Sequence, residues 1–512
     1  MRPSRLGVLA AAFLCLGCWT LAQSPGDGKA VREPAVAGQF YPAQPAALKQ
    51  ALEAYLRDAV APKPDRPIAI VVPHAGYIYS AQIAADAWRQ AGRHRYDTIV
   101  LLGTNHTGAA TGRVSVYSGA GFRTPLGTVQ IDKAITDALL KEDSISVPDQ
   151  AAHAREHSIE VHVPFVQHLF PGAKIVAAVV GTQDPALCAR FGRALGRVLK
   201  DRQVLIVASS DLSHYPSARD ATSVDRRTLE AIASLSPERL HSSAQAEMQR
   251  GVPDLATTAC GEAPIMAAMT AATLLGATRG TVVSYANSAD VAVGDPSRAV
   301  GYGAVVFTAG ERGSDTSALT PPPIPPKDTP LTAADKKALL QLARETLQRY
   351  LNTETLPLAR GLDPKLQRDQ GVFVTLKKRG DLRGCIGNIT GGAPLCRLVT
   401  IMALEAALND PRFSKVQPRE LDSLEIEISV LTPLRSIRAP QEIVVGRDGV
   451  VLSKNGRSAV FLPQVATEQG WGRDEMLDNL SLKAGLPANA WRTGASFSVF
   501  QAEVFGEGDI KQ

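Results

Sequence analysis

Three continuous apolar runs, each followed at once by a loop that carries a histidine, constrain this chain more than any other feature. Residues 68–72 lead into Pro73-His74-Ala75-Gly76-Tyr77, residues 98–102 into Gly103-Thr104-Asn105-His106, and residues 204–208 into Ser209-Ser210-Asp211-Leu212-Ser213-His214. Later, Cys260-Gly261-Glu262 opens a helix-like stretch. A run that is apolar at every position, without alternation, suits a strand buried on both faces, and such strands belong to parallel sheets covered by helices. The carboxyl ends of those strands line one crevice, so loops distant in sequence converge there.

The rest of residues 30–310 fits that frame. Strands are expected at 68–72, 98–102, 174–180, 203–208, 280–286 and 300–307, and helices at 80–91, 132–141, 158–169, 185–199, near 222–249 and at 262–275. This predicts an α/β fold, a mainly parallel sheet flanked by helices. Residues 311–330 then turn to Gly, Ser, Asp and Thr and to Pro321-Pro322-Pro323-Ile324-Pro325-Pro326, a run that favours extended polyproline II and reads as a linker. Beyond it, residues 331–512 read as a separate α+β domain. A capping-box-like Thr332…Asp335 opens a helix to about 351, helices follow at 394–408 and 473–484, and strands at 372–377, 424–431, 449–453, 458–462 and 497–505.

At 512 residues the chain is long enough for two to four domains at roughly 150 residues each. A net charge of +5 is small for this length, and no basic block with interleaved aromatics is present, which argues against nucleic acid as a partner. Arg2 and Arg5, an apolar stretch over 6–16 and Thr20-Leu21-Ala22 read as a signal peptide over 1–22, so the protein is expected to be exported, periplasmic or otherwise extracytoplasmic. Leu16-Gly17-Cys18 adds a lipoprotein alternative with a lipid anchor at Cys18. The mature chain keeps Cys188, Cys260, Cys385 and Cys396, too few for a disulfide framework; Cys188 reads as a small buried hydrophobe, and Cys385 with Cys396 as a pair only if geometry permits.

All nine histidines precede the linker, so histidine chemistry belongs to the first body. His74 and His106, after separate strands, suit neutral imidazole ligands of one transition metal; each could instead hydrogen-bond backbone in its loop. Cys260, at a helix N-terminus, is placed where the dipole favours thiolate, the metal-binding form; the alternative is an inert buried thiol. His214 is the candidate acid/base with Asp211 to position it, against a capping aspartate beside a solvated histidine. Glu156, His157 and Glu160 form a dense cluster in which 157 and 160 share a helical face, and with Glu262 they read as groups behind the ligands or against substrate. His162 and His168 are expected to face other neighbours, and His153 is open between pocket and loop. In the second body Arg383-Gly384-Cys385-Ile386-Gly387 implies a tight turn or close backbone approach, with Arg383 favouring a Cys385 thiolate.

Taken together these strings resemble a known pairing. Residues 30–310 resemble the MEMO family through Pro73-His74-Ala75-Gly76-Tyr77, Gly103-Thr104-Asn105-His106, Glu156-His157-Ser158-Ile159-Glu160, Ser210-Asp211-Leu212-Ser213-His214 and Cys260-Gly261. Residues 331–512 resemble the AMMECR1 domain family through Leu382-Arg383-Gly384-Cys385-Ile386-Gly387. The resemblance implies a fusion of components B and A of the AmmeMemoRadiSam system, with a radical-SAM protein as partner. A signal peptide departs from that picture, because such a partner is expected in the reducing cytoplasm. The MEMO fold is similar to class III extradiol dioxygenases, and that likeness implies metal positions at His74, His106 and Cys260, with Asp211 and His214 in the pocket. A thiolate in place of the carboxylate ligand of those enzymes softens the site toward copper as well as Fe(II). The leading expectation is therefore a metal-dependent redox protein with one iron or copper ion, acting on a small molecule. The alternatives are a metal-binding scaffold without turnover and a cysteine hydrolase with Cys260 as nucleophile and His214 as base.

Overall fold

The computed structural model describes residues 30–320, 329–360 and 362–510. The segment over 1–22 expected to be a signal peptide, Cys18 and the proline run lie outside those residues. Among the described residues, no helix is long and apolar enough to cross a membrane.

The first body is built on a nine-stranded sheet. In spatial order its strands are Gly313–Asp315, Arg279–Asn287, Gly301–Thr308, Pro67–Val72, Val204–Ser209, Thr98–Thr104, Lys174–Val180, Val114–Val116 and Ser146–Pro148. The four from Pro67–Val72 to Lys174–Val180 run parallel, and antiparallel partners flank them on both sides. The apolar runs have a direct cause. Ile70, Val72, Ile99 and Leu101 point into one core, while Ala69, Val71, Val100 and Leu102 point into the other. Each fully buried Val, Leu or Ile contributes about 1.5–3 kcal/mol of burial free energy, which favours apolar residues on both faces.

Two expectations change here. The single helix over 158–169 is divided into His157–Glu160 and Val163–Leu169, with Pro164 in the first turn of the second piece. Proline lacks the N–H an uninterrupted helix would use and fits the start of a new one. Residues from 311 also do not leave at once as a linker. Gly313–Asp315 adds an edge strand beside Arg279–Thr281, and Leu319 packs in a core of the first body.

The second body carries two four-stranded sheets. One orders Asp381–Asn388, Val372–Lys378, Leu424–Leu431 and Ala502–Gly506; the other Arg435–Ile437, Ser496–Phe500, Gly449–Lys454 and Arg457–Phe461. The strand expected over 497–505 breaks at Gln501 and serves both sheets. The helix Ala333–Thr353 opens on a capping box of Thr332 and Asp335. The segment with Arg383, Gly384, Cys385 and Gly387 is a strand and not a turn, and its glycines answer to close approach. A Cβ on Gly384 would stand 2.1 Å from the Ala406 carbonyl oxygen, and one on Gly387 2.2 Å from the Phe373 ring. Arg383 pairs with Glu420 at 3.1 Å, while the Cys385 sulfur accepts the Thr375 hydroxyl at 3.2 Å. Cys385 and Cys396 are both free thiols.

The two bodies touch through buried charge. Arg360 reaches Asp86, with Nη2 donating to Oδ1 at 2.8 Å, and Arg349 Nη1 donates to Asp58 Oδ2 at 2.7 Å. Ile78 and Val291 of the first body join the hydrophobic core of the second.

Candidate metal centre

Pro67–Val72, Val204–Ser209 and Thr98–Thr104 are consecutive neighbours in the sheet, so the loops leaving their carboxyl ends meet. Backbone bonds fix the meeting point: Ser210 N–H donates to Val72 O at 2.9 Å, and the Thr104 hydroxyl donates to Ser209 O at 3.2 Å. His74 arrives from the first loop and His106 from the third. The one-turn helix His157–Glu160, capped by Glu156, packs over the end of Thr98–Thr104 and adds His157. One ligand atom from each of His74, His106 and His157 lies within 4.8 Å of the other two. Their rings make a compact cluster, with His106 stacked on His157 at 4.4 Å and His74 edge-on to both at 5.0 and 5.5 Å.

The hydrogen bonds behind these rings decide which nitrogen faces the cluster. Ser209 Oγ donates to Ser158 O at 2.6 Å, which spends its only proton. Its contacts with His74 Nδ1 at 2.7 Å and His162 Nε2 at 3.0 Å must therefore be accepted from imidazole N–H groups. His74 thus carries its proton on Nδ1 and presents a bare Nε2. His106 reaches the same state by another route: its Nδ1 lies 2.8 Å from Glu156 Oε1, and its backbone N–H donates to Glu156 Oε2 at 2.9 Å. Ionised glutamate can only accept, so His106 Nδ1 donates and Nε2 is left for a ligand.

Protonation agrees with this picture. Burial, then the neighbouring imidazoles, holds His74 well below the usual histidine range. Burial and then His106 lower His157 to about 4. Burial opposes ionisation of Glu156, yet its hydrogen bonds with His106 and Ser158 prevail and hold it at about 2. Near neutral pH His74 and His157 are therefore neutral imidazoles, the form that binds metal.

Cys260 stands at the edge of this group. Its Sγ is 3.2 Å from His74 Nε2 and 3.7 Å from the Asp211 carbonyl oxygen. The expected thiolate is not what the surroundings favour, because burial and then the nearby Asp211 carboxyl push the thiol up. The helix dipole is outweighed by desolvation of the charged form. The structure thus gathers three imidazoles, where two imidazoles and a sulfur were expected, and sets the sulfur against one of them.

Other assignments shift as well. Asp211 does not orient His214. Its Oδ1 accepts the backbone N–H groups of His74 at 2.7 Å and Ala75 at 3.3 Å, which pins the ligand loop, and burial raises its carboxyl to about 7. His214 lies in an extended segment bridging Thr257 and Val300; burial and then His106 lower it to about 4, and its Nε2 has no partner among the described residues. Glu160 faces away from the cluster. It pairs with Arg32 and accepts the Tyr41 hydroxyl at 2.6 Å and the N–H groups of Ala35 and Val36, so it anchors the chain's first described segment. That segment brings the Phe40 ring to 4.8 Å from His157. Glu262 accepts from His241 Nδ1 at 2.7 Å and lines a cleft of about 1050 Å3 that opens beside His106 and Cys260. His153 is buried and bonds the Ser115 carbonyl at 3.1 Å, outside the cluster. His157 joins the cluster itself, where the sequence suggested a place behind the ligands, and His162 and Ser209 stand behind His74, which no sequence signal indicated.

Comparison with known proteins follows the same division of the chain. Residues 32–306 match the family model for Memo-like protein, and residues 340–505 match that for AMMECR1. A MEMO1 family protein of Aquifex aeolicus is 40% identical over 279 residues, spanning 54% of this chain and 99% of the relative. The MEMO1 family protein MK0963 of Methanopyrus kandleri is 36% identical over 291 residues, spanning 54% of this chain and 99% of the relative. Among solved structures, the uncharacterized protein PH0010 from Pyrococcus horikoshii is 37% identical with a TM-score of 0.34, covering 35% of this chain and 93% of that one.

Proposed function

Because this chain belongs to the Memo-like protein family, we propose that its first domain is a metal-dependent redox centre, holding one iron or copper ion on His74, His106 and His157. Cys260 serves as the adjoining sulfur donor. The observation that carries this reading is the pair of locked tautomers: Ser209 and Glu156 take the Nδ1 protons of His74 and His106, which turns both bare Nε2 atoms toward one place. A donor set of imidazoles with a neighbouring sulfur suits copper and iron over hard cations. When bound, such an ion supplies electron transfer and a position for a small ligand.

The chain's own residues do the remaining work. Glu156 and Ser209 orient the ligand rings, Asp211 fixes the His74 loop through its backbone, and Phe40 covers His157. His214, held neutral near pH 7 by burial and with no partner for its Nε2 among the described residues, is the candidate proton acceptor beside His106. Anaerobic purification followed by metal analysis and electron paramagnetic resonance tests the reading. One ion per chain is expected, lost in His74→Ala, His106→Ala and His157→Ala, and retained with an altered spectrum in Cys260→Ser. A protein that takes up neither metal, or a His157→Ala variant that retains its full metal content, overturns it.

A second reading rests on the 3.2 Å contact between Cys260 Sγ and His74 Nε2, which is the arrangement of a thiol nucleophile and its base, with Ser209 behind the imidazole. The base would then be His74 and not His214. Ester hydrolysis by metal-free protein, abolished in both Cys260→Ser and His74→Ala, would favour it.

A further inference from the structure

Resting on that metal-centre reading, we propose that the cleft beside Cys260 selects a small molecule bearing a primary amine or another cation, with Glu262 as its counter-ion. The cleft, of about 1050 Å3, runs from the His106 loop past Cys260 to the walls formed by the helices Pro237–Gln249 and Glu262–Leu274. Among the described residues that line it, Glu262 is the one carboxylate, and none is lysine or arginine. Its remaining polar wall is neutral, with Asn105, Thr182, Gln183, Gln245 and Thr258.

Glu262 is held ready for such a partner. Its Oε1 lies 2.7 Å from His241 Nδ1, and Gln245 Nε2 lies 2.9 Å from His241 Nε2, so the imidazole is held in place on both sides. Among the described residues, no hydrogen bond occupies Oε2 of Glu262. The carboxylate is partly buried, with its side chain 24% exposed, where pairing with a cation is screened less than on an open surface.

An anion finds little here. The helix N-terminus beside Cys260 has few donors to offer: Gly261 N–H goes to Ser210 Oγ at 2.9 Å, Glu262 N–H to Ala259 O at 3.4 Å, and Pro264 has none, which leaves the N–H of Ala263. Met248 and Met266 add apolar, adaptable surface to the walls. A substrate with a cationic end and an apolar body fits these walls, its other end reaching His106 and Cys260.

Calorimetric titration of the full chain with phenethylamine and with phenylacetate, ring compounds of similar size and opposite charge, tests the assignment. In the metal-free protein the amine is expected to bind at least tenfold more tightly than the acid. Glu262→Gln should reduce that preference below threefold, and Glu262→Lys should reverse it. Equal affinities, binding by neither compound, or a preference that survives Glu262→Gln overturns the proposal. Full metal content without an amine preference sinks this inference alone, whereas an amine preference in a protein that binds no metal leaves it standing and sinks the metal reading.

Discussion

Ser209→Ala removes a single hydroxyl and disturbs three buried groups at once. In the wild type that oxygen accepts from His74 Nδ1 and His162 Nε2 and donates to Ser158 O, with distances of 2.7, 3.0 and 2.6 Å. Alanine leaves two imidazole donors and one carbonyl without partners, in a site where Ser209, His74 and His162 are each about 1% exposed. At about 1–3 kcal/mol for each unpaired group, and allowing for partial re-pairing between neighbours, the expected loss of stability is about 3–5 kcal/mol. Released from its acceptor, His74 also loses the preference for the tautomer with a bare Nε2, and metal affinity should fall about 10- to 100-fold. Urea unfolding of metal-free protein reads the first effect and titration against a competing chelator reads the second. A variant within about 1 kcal/mol of wild type that binds metal as tightly would refute the shared-hydroxyl reasoning.

Glu156→Ala should lower metal affinity by about 10- to 100-fold through His106 while leaving the His74 half of the site in place, which the same chelator titration resolves. Arg360→Ala leaves the fully buried Asp86 with only the Val60 N–H and the Ser284 hydroxyl as donors and should cost about 1–3 kcal/mol, seen by calorimetry as an earlier melt with the two domains unfolding separately. Acid should weaken the fold in a defined window. His153 and His162 are lowered by burial to about 4 and about 3, so the unfolded chain takes up protons first; stability is full above about pH 6.5 and falls as pH drops toward 4. His153 alone accounts for about 3 kcal/mol of that fall, and His153→Phe should flatten the measured pH slope by close to one proton.

What could be read from the sequence was whatever depends on a strand's own residues. The unbroken apolar runs before His74, His106 and Ser209 announced strands buried on both faces, and their loops duly converge. Strand order was not legible in that way. Only the insertion of Val204–Ser209 between Pro67–Val72 and Thr98–Thr104 puts Ser209 behind His74 and turns Asp211 toward the His74 backbone, away from His214. Glu156 was recognisable as a candidate beside the ligands, but its spacing from Glu160 gave no hint that Glu160 would be claimed by Arg32 and Tyr41. For Cys260 the helix N-terminus pointed to thiolate and burial to an inert thiol, and desolvation prevails in so enclosed a place.

The helix that begins at Tyr77, three residues past His74, has a second attachment. It sends Ile78 into the apolar interior of the C-terminal half and holds out Asp86 to Arg360. A rigid rod tied at one end to a ligand loop and along its length to a separate folding unit works as a lever. Arg360→Ala, which loosens that grip on Asp86, is expected to change metal affinity at His74, read by chelator titration.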